Sequence, residues 1–384
     1  MKDLITKGKT ISKGFLYNFK GWKTNRKIVV IESDDWGGER TPNKTIFTKL
    51  LKAGLKVDLC GFSKFDTIES KSDLSSLFEV LSSVKDVKGK TAVMTANFNL
   101  ANPDFQKIKE SDFFEYYYID YVKTLEKYNR SQVLETINEG ISSGVFFPQN
   151  HSREHISPYL WLDEIRNGNE SLKKAFELQV YGLSRITSSE IVQFHLASQL
   201  YRNKKELDFV SHAMQDGTKL FEAVFGYRSL SFIAPVYTWN NTIENLMNQN
   251  GLKIIQSSFF QNNFDPLNVT NFDRKFHYTG QHNDNYQIYT VRNCLFEPAL
   301  NSKKDWVSSC LEEIKYSFFM NKPAIISSHR LNYIGGLDVK NRDSNLKHLK
   351  RLLNEIKCKW PVVEFMTSVE LGKLIAKEMG IKNV

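Results

Sequence analysis

At 384 residues, with 41% apolar and 25% charged side chains, the chain has ordinary globular composition and length enough for one large α/β domain or two smaller ones. The 27 Phe and 16 Tyr are a high aromatic load, suited to a carbohydrate cleft or to a plain core. Cys60, Cys294, Cys310 and Cys358 lie far apart with no CxxC spacing, which argues against a zinc ribbon or a disulfide framework and leaves reduced thiols.

The formal charge of +9 is concentrated at the N-terminus, where Lys2, Lys7, Lys9, Lys13, Lys20, Lys23, Arg26 and Lys27 face the single acid Asp3. Residues 1–24 are therefore expected to form a basic arm. Its interleaved Phe15, Leu16, Tyr17, Phe19 and Trp22 leave two alternatives: contact with an anionic membrane surface or phosphate-bearing substrate, or a solvated arm whose aromatics pack on the domain. No basic-aromatic recognition module points to nucleic acid. With no apolar leader and no apolar run of about 18 residues, a cytoplasmic location is expected, with peripheral membrane contact as the arm's alternative.

Ile28-Val29-Val30-Ile31 reads as a short buried strand that ends in Glu32-Ser33-Asp34-Asp35-Trp36-Gly37. Parallel α/β folds carry their chemistry at strand carboxyl ends, so one of these carboxylates can face a metal and the other a substrate; the alternative is a solvated acidic turn. Helical patterns over 43–54 and 72–84 and a strand over 91–96 continue a β-α-β alternation. Asn97, Asn99 and Asn102 follow, either facing a sugar or satisfying turn backbone. A strand over 145–150 then delivers His151-Ser152-Arg153-Glu154-His155. On a helical turn that spacing puts two imidazoles on one face, able to share a divalent ion.

Residues 157–226 read as a helical insertion without chemistry, leaving His195 and His212 structural or exposed. Beyond Arg228, a strand breaks at Pro235 into Val236, Tyr237, Thr238 and Trp239, a loop that can offer backbone N–H groups and an aromatic wall. Strands are expected over 253–257 and 286–293, separated by a polar, irregular stretch. Another over 323–328 ends in His329, and helices near the C-terminus flank a strand over 361–366.

Strand-Asp-Asp, strand-HxxxH, strand-Pro-aromatic and strand-His, in that order, resemble the polysaccharide deacetylases of the carbohydrate esterase family 4 type. The second motif matches fully, and the others in part. The resemblance implies a distorted (β/α) barrel of about seven strands over residues 25–375, with the helical insertion at 157–226. It implies a metal triad of Asp35, His151 and His155, for which zinc is the expected ion and cobalt, nickel or manganese the alternatives. It further implies Asp34 as base, His329 as acid to the leaving amine, and the Val236 N–H after Pro235 as oxyanion donor. Tyr237 and Trp36 would border the substrate, and Ser152 would order the metal loop through a side-chain to backbone hydrogen bond. The family's arginine partner of the catalytic aspartate has no counterpart in the third motif, leaving Arg228 or Arg292 to reach in. The acidic partner of the catalytic histidine is sought at Asp338 or Asp273. The implied activity is metal-dependent removal of N-acetyl groups from an acetylated amino sugar or oligosaccharide. A catalytically silent carbohydrate-binding or assembly protein on the same barrel is the alternative.

Overall fold

The computed structural model describes residues 14, 16–191 and 193–382. Lys2, Lys7, Lys9, Lys13 and Phe15 of the expected basic arm lie outside them. In the described part of the arm Tyr17 stacks on Phe259 and Trp22 Nε1 donates to Glu378 (2.8 Å), while Leu16 and Phe19 are exposed; just beyond it Arg26 forks onto Glu364 (2.8 and 2.7 Å).

Among the described residues thirteen strands form in chain order: β1 Ile28–Trp36, β2 Met94–Phe98, β3 Ala101–Pro103, β4 Tyr118–Asp120, β5 Phe146–Asn150, β6 Ser231–Ile233, β7 Ile254–Ser257, β8 Phe260–Asp265, β9 Asn268–Phe276, β10 Ile288–Val291, β11 Cys294–Leu295, β12 Ala324–His329 and β13 Glu364–Met366. Nine build one sheet in the order β10-β7-β6-β5-β2-β1-β12-β11, with β13 also paired to β1. Every pairing in it is parallel, as expected where helices make most of the crossovers. β3–β4 and β8–β9 are separate antiparallel pairs. The second of these occupies much of the stretch expected to be irregular.

A closed hydrogen-bonded barrel of seven strands is not what these pairings describe. The sheet has two ends, β10 and β11, and these are separated in sequence only by Arg292 and Asn293. Arg292 N–H donates to Ser257 O at the end of β7 (2.9 Å), and Asn293 N–H to Ile325 O of β12 (3.1 Å). Both edges of the sheet thus meet on one segment of chain.

Strand alternation sorts the side chains of β1. Val29 and Ile31 join the large core shared with helices Lys71–Ser82, Trp306–Phe319 and Val339–Lys359. Ile28 and Val30 pack instead with Ile288, Ile325 and the C-terminal helix Ser368–Met379. On the Val30 side, Glu32 and Asp34 continue toward the carboxyl end as a buried polar column. At the strand's exit Gly37 has φ +77°, and a Cβ there would meet Asn99 O at 2.3 Å, so the turn requires glycine.

The 157–226 segment is less helical than its sequence suggests. Helices Pro158–Arg166, Glu170–Glu177 and Lys204–Phe225 form, but 178–203 is mostly irregular. Within it Thr187 Oγ1 donates to the nearby backbone at Ser184 O (2.6 Å). His195 is fully buried, with Nε2 3.2 Å from Tyr181 O, and His212 sits on the surface of the long helix. The four cysteines form no disulfide with one another. No helix among the described residues is long and apolar enough to cross a membrane.

Candidate metal centre and its cleft

The carboxyl ends of β1, β5, β6 and β12 open on one cleft of about 290 Å³, lined by Asp34, Asp35, His151, His155 and His329 among others. Asp34 and His329 are register partners across β1 and β12. The pairing of β1 with β2 shifts between Ser33 and Trp36, and within that bulge Asp35 takes φ +74°. A bulge breaks the alternation, so adjacent carboxylates are aimed at different targets.

Asp35 Oδ1 lies 3.5 Å from His151 Nε2 and 3.3 Å from His155 Nε2. These three buried side chains are the one group among the described residues whose donors cluster as a metal site requires. His151 Nδ1 is 2.8 Å from Ile233 O; donating there leaves Nε2 with its lone pair free. Arg40 Nη2 holds Asp35 Oδ2 (3.1 Å), while Asp35 Oδ1 is buried without a hydrogen-bond partner, as is His155 Nδ1. Burial, with the Arg40 charge beside it, pushes His155 down to about 3 and keeps it neutral. For Asp35 burial opposes ionisation, but the Arg40 charge beside it outweighs that and holds the carboxyl well below its usual range. An ionised carboxylate with an orphaned oxygen facing two imidazole nitrogens fits a divalent cation.

The loop carrying the histidines is not the helical turn inferred from their spacing: residues 151–157 are irregular. Ser152 takes φ +78° and its N–H donates to Asn150 Oδ1 (2.8 Å). Its hydroxyl accepts from Gln199 Nε2 (2.8 Å) and Ser198 Oγ (3.1 Å), so it ties the loop to other side chains rather than to backbone. Arg153 O accepts the N–H groups of Leu100 and Ala101, and a Cβ at Gly217 would meet Arg153 N at 3.0 Å. The long helix is therefore pressed directly onto this loop.

On the other wall, Arg292 forks onto Asp34 (Nη1 to Oδ2 2.6 Å, Nη2 to Oδ1 2.7 Å) and its Nε donates to Glu32 (2.6 Å). Asn97 Nδ2 adds a further bond to Asp34 Oδ1 (2.7 Å). Burial alone raises a carboxyl's pKa, but the Arg292 charge and bonds prevail and bring Asp34 down to about 2. Arg228 is excluded as that partner, being exposed and paired to Glu222. His329 Nδ1 lies 2.6 Å from Glu297 Oε1 and its Nε2 3.8 Å from Asp34 Oδ2. Burial works against the imidazolium, yet the Glu297 charge and hydrogen bond push His329 up to about 9. Asn332 Nδ2 fixes the second Glu297 oxygen (2.7 Å). The acidic partner is thus Glu297; Asp338 caps helix Val339–Lys359, and Asp273 sits in the β8–β9 hairpin.

Val236 and Tyr237 line the cleft in a left-handed turn (φ +56° and +52°), and Asn262 Nδ2 ties down Val236 O (2.9 Å). A β-branched residue at positive φ is strained, and such turns persist where surrounding bonds impose them. Pro235 is buried behind them. Trp36 does not border the cleft: it is fully buried, its ring packs on Phe98 and Phe146, and Nε1 donates to Ser33 Oγ (3.0 Å).

The sequence gives little warning of the other lining residues. Gly182, Ser184 and Leu196 come from the irregular part of 157–226, read above as free of chemistry. Arg40 and Phe62 follow β1, and Phe62 meets the His329 ring edge-on (5.1 Å, 87°). A strand ending in Arg292, with an acid a few residues on, is a usable signal for Glu297; Arg40 carries none.

No protein-family model matches the chain, and no curated protein does. Among solved structures it is similar to 4-alpha-glucanotransferase from Thermococcus litoralis (TM-score 0.46, 9% identity), over 90% of this chain and 40% of that one. It is also similar to a protein assigned as a polysaccharide deacetylase from Mycobacterium smegmatis (TM-score 0.42, 9% identity, 94% of each chain). A family 4 acetyl xylan esterase from Clostridium thermocellum, solved with cobalt, scores 0.34 at 11% identity over 93% of this chain and 94% of that one. At such scores these likenesses decide nothing about activity; the side chains in the cleft carry that question.

Proposed function

We propose that the chain is a metal-dependent hydrolase that removes N-acetyl groups from a saccharide or a sugar-bearing intermediate, on a distorted (β/α) barrel whose seam is the Arg292-Asn293 segment. One observation carries the reading: the unpartnered Asp35 Oδ1 faces two imidazole nitrogens in the cleft where Asp34 and His329 meet. Asp35, His151 and His155 would hold the ion. A divalent ion there supplies Lewis acidity, polarising an acyl oxygen and acidifying water.

The chain's own groups handle the protons. Asp34, ionised at neutral pH, takes a proton from the attacking water as its oxygen bonds to the acyl carbon. The Val236 N–H binds the oxygen on which charge develops. His329, protonated at neutral pH, gives its proton to the nitrogen as the carbon–nitrogen bond breaks, releasing acetate and a free amine. Tyr237 walls the site and, through a hydrogen bond from Arg292 Nη1 (3.1 Å), steadies the arginine that orients Asp34. A saccharide-binding protein without turnover is the second reading, and what favours it is Arg40, which engages one oxygen of the proposed ligand Asp35.

The test is metal content by elemental analysis beside acetate release from N-acetylated oligosaccharides. About one ion per chain is expected in the wild type and none in His151→Ala, while Asp34→Asn keeps the ion and loses about 10²–10⁴ in rate. Bound metal with no acetate from any acetylated sugar would establish the second reading. No metal in the wild type, even with zinc or cobalt added, would overturn both the triad and the hydrolase.

A further inference from the structure

We infer that the cleft continues into a phosphate-binding groove, so that the saccharide this site takes carries a phosphate or diphosphate group. This deepens the hydrolase reading above and rests on it. The groove, about 570 Å³, is lined by Lys64, Lys303, Lys304, Lys340 and His348. It shares two walls with the cleft. In the short helix Gly61–Phe65, Phe62 packs against His329 on the cleft side while Gly61, Lys64 and Phe65 face the groove. In the segment after β11, Glu297 holds His329 while Pro298, Ala299 and Leu300 face the groove. The walls touch: a Cβ at Gly61 would meet Leu300 Cδ2 at 2.7 Å. A ligand reaching over this ridge has its acyl group beside His329 and its far end among the lysines.

The charge there is one-sided. Three exposed lysines, Lys64, Lys303 and Lys340, face two acids, Asp58 and Asp338, and Asp338 Oδ1 is already engaged by the N–H groups of Lys340 (2.9 Å) and Asn341 (3.3 Å). In the cleft the cations behave differently. Arg40 and Arg292 are buried against carboxylates and have their charge answered from within the fold. In the groove, Lys64, Lys303 and Lys340 extend into solvent. Lysine ammonium groups are compact point charges and bind a multiply charged phosphate, whose oxygens point in several directions, as such; the arginine fork serves carboxylate and phosphate alike. A neutral oligosaccharide would gain nothing from the lysine charges. Trp306, with Lys304 Nζ 3.8 Å from its ring centroid, adds an aromatic face to the same groove.

The test uses the full chain and Lys303→Glu/Lys340→Glu, whose side chains are solvent-exposed; glutamate in the first turn of helix Val339–Lys359 also suits the helix dipole. Inorganic pyrophosphate is titrated into each. Saturable binding is expected in the wild type, weakening with added salt and falling about ten-fold or more in the double variant. No binding, or equal binding to both proteins, overturns the groove. Binding that survives the lysine variant but disappears in His151→Ala is pyrophosphate on the metal, and also overturns it. Kinetics then identify the phosphate's source, using a nucleoside-diphosphate N-acetylhexosamine beside a short polyprenyl-diphosphate one. For the true class KM rises about ten-fold or more in the variant, while a neutral N-acetylated oligosaccharide is turned over unchanged. If neither phosphorylated substrate responds to the lysines, the inference fails. Pyrophosphate binding needs no turnover: lysine-dependent binding without any acetate release keeps the groove and removes the hydrolase, and acetate release without such binding does the reverse.

Discussion

His155 and His329 lie in the same cleft, one on the loop after β5 and the other at the end of β12, and each is largely shielded from water, yet one is held neutral at about 3 and the other charged up to about 9. Burial acts against the charge in both. The neighbour decides: Arg40 stands by His155, Glu297 hydrogen-bonds His329. The two aspartates divide in the same way. Asp34 is saturated by Arg292 and Asn97, and Asp35 keeps one oxygen without a partner. One half of the cleft is therefore built with donors left open, as a cation requires, and the other with every charge answered, as proton handling requires. Side-chain type says little about role here; partners one layer back say most of it.

The sharpest way to separate the halves is Arg292→Met. The guanidinium neutralises Glu32 and Asp34 together, and removing it leaves two buried carboxylates without their cation. A loss of about 3–5 kcal/mol is expected in urea unfolding, with metal content retained in the folded fraction. Loss of metal at unchanged stability would mean that the halves are not independent.

Glu297→Gln acts on the second half alone. His329 binds its proton more tightly in the folded chain, up to about 9, than in the unfolded chain near its ordinary 6.5. Its contribution to stability is therefore complete below the unfolded value and is lost as pH rises toward and through the folded one. The rate, if His329 is the acid, falls over the same upper limit. With a neutral glutamine the imidazolium loses its counter-charge, so both declines move toward about 6.5 and the rate at about pH 8 drops roughly ten-fold or more, while the rate at about pH 6 changes little. An unmoved alkaline limb would remove Glu297 as the group that keeps His329 charged.

These partners explain what the sequence conceals. The strand ends themselves are legible, because four β-branched residues before Asp34-Asp35, the apolar run before His151 and another before His329 are local signals, and each sits at the end of a strand of the parallel sheet. The partners are not local. Arg292 is 258 residues from Asp34 and Glu297 is 32 from His329, and only the sheet's return upon itself brings them together. The histidine pair is readable for a reason its spacing does not supply: a loop turned by Ser152 at positive φ does what a helical turn was expected to do. The β8–β9 hairpin escapes notice because most of β9 is exposed or half-buried, so no apolar alternation marks it.

The smallest effect is expected at Asn97, where the saturation of Asp34 can be trimmed without removing its cation. Asn97 Nδ2 donates to Asp34 Oδ1 and Gln256 Oε1, and Gln256 Nε2 returns a bond to Asn97 Oδ1 (2.9 Å) and another to Ser231 Oγ (2.9 Å). Asn97→Ala breaks the exchange with Gln256, but leaves Asp34 both Arg292 bonds and leaves Gln256 its serine. The cost is that of one under-satisfied buried amide, about 1–3 kcal/mol in unfolding, with a rate loss under about ten-fold and metal content unchanged. Asn97→Asp places a second carboxylate against Asp34 at the same size and should cost more than alanine, because like charges compete for one guanidinium. If alanine instead proved as damaging as Arg292→Met, the hydrogen-bonded amide layer rather than the arginine would be what keeps Asp34 ionised, and the contrast between the two halves of the cleft would rest on neutral dipoles, not on charge.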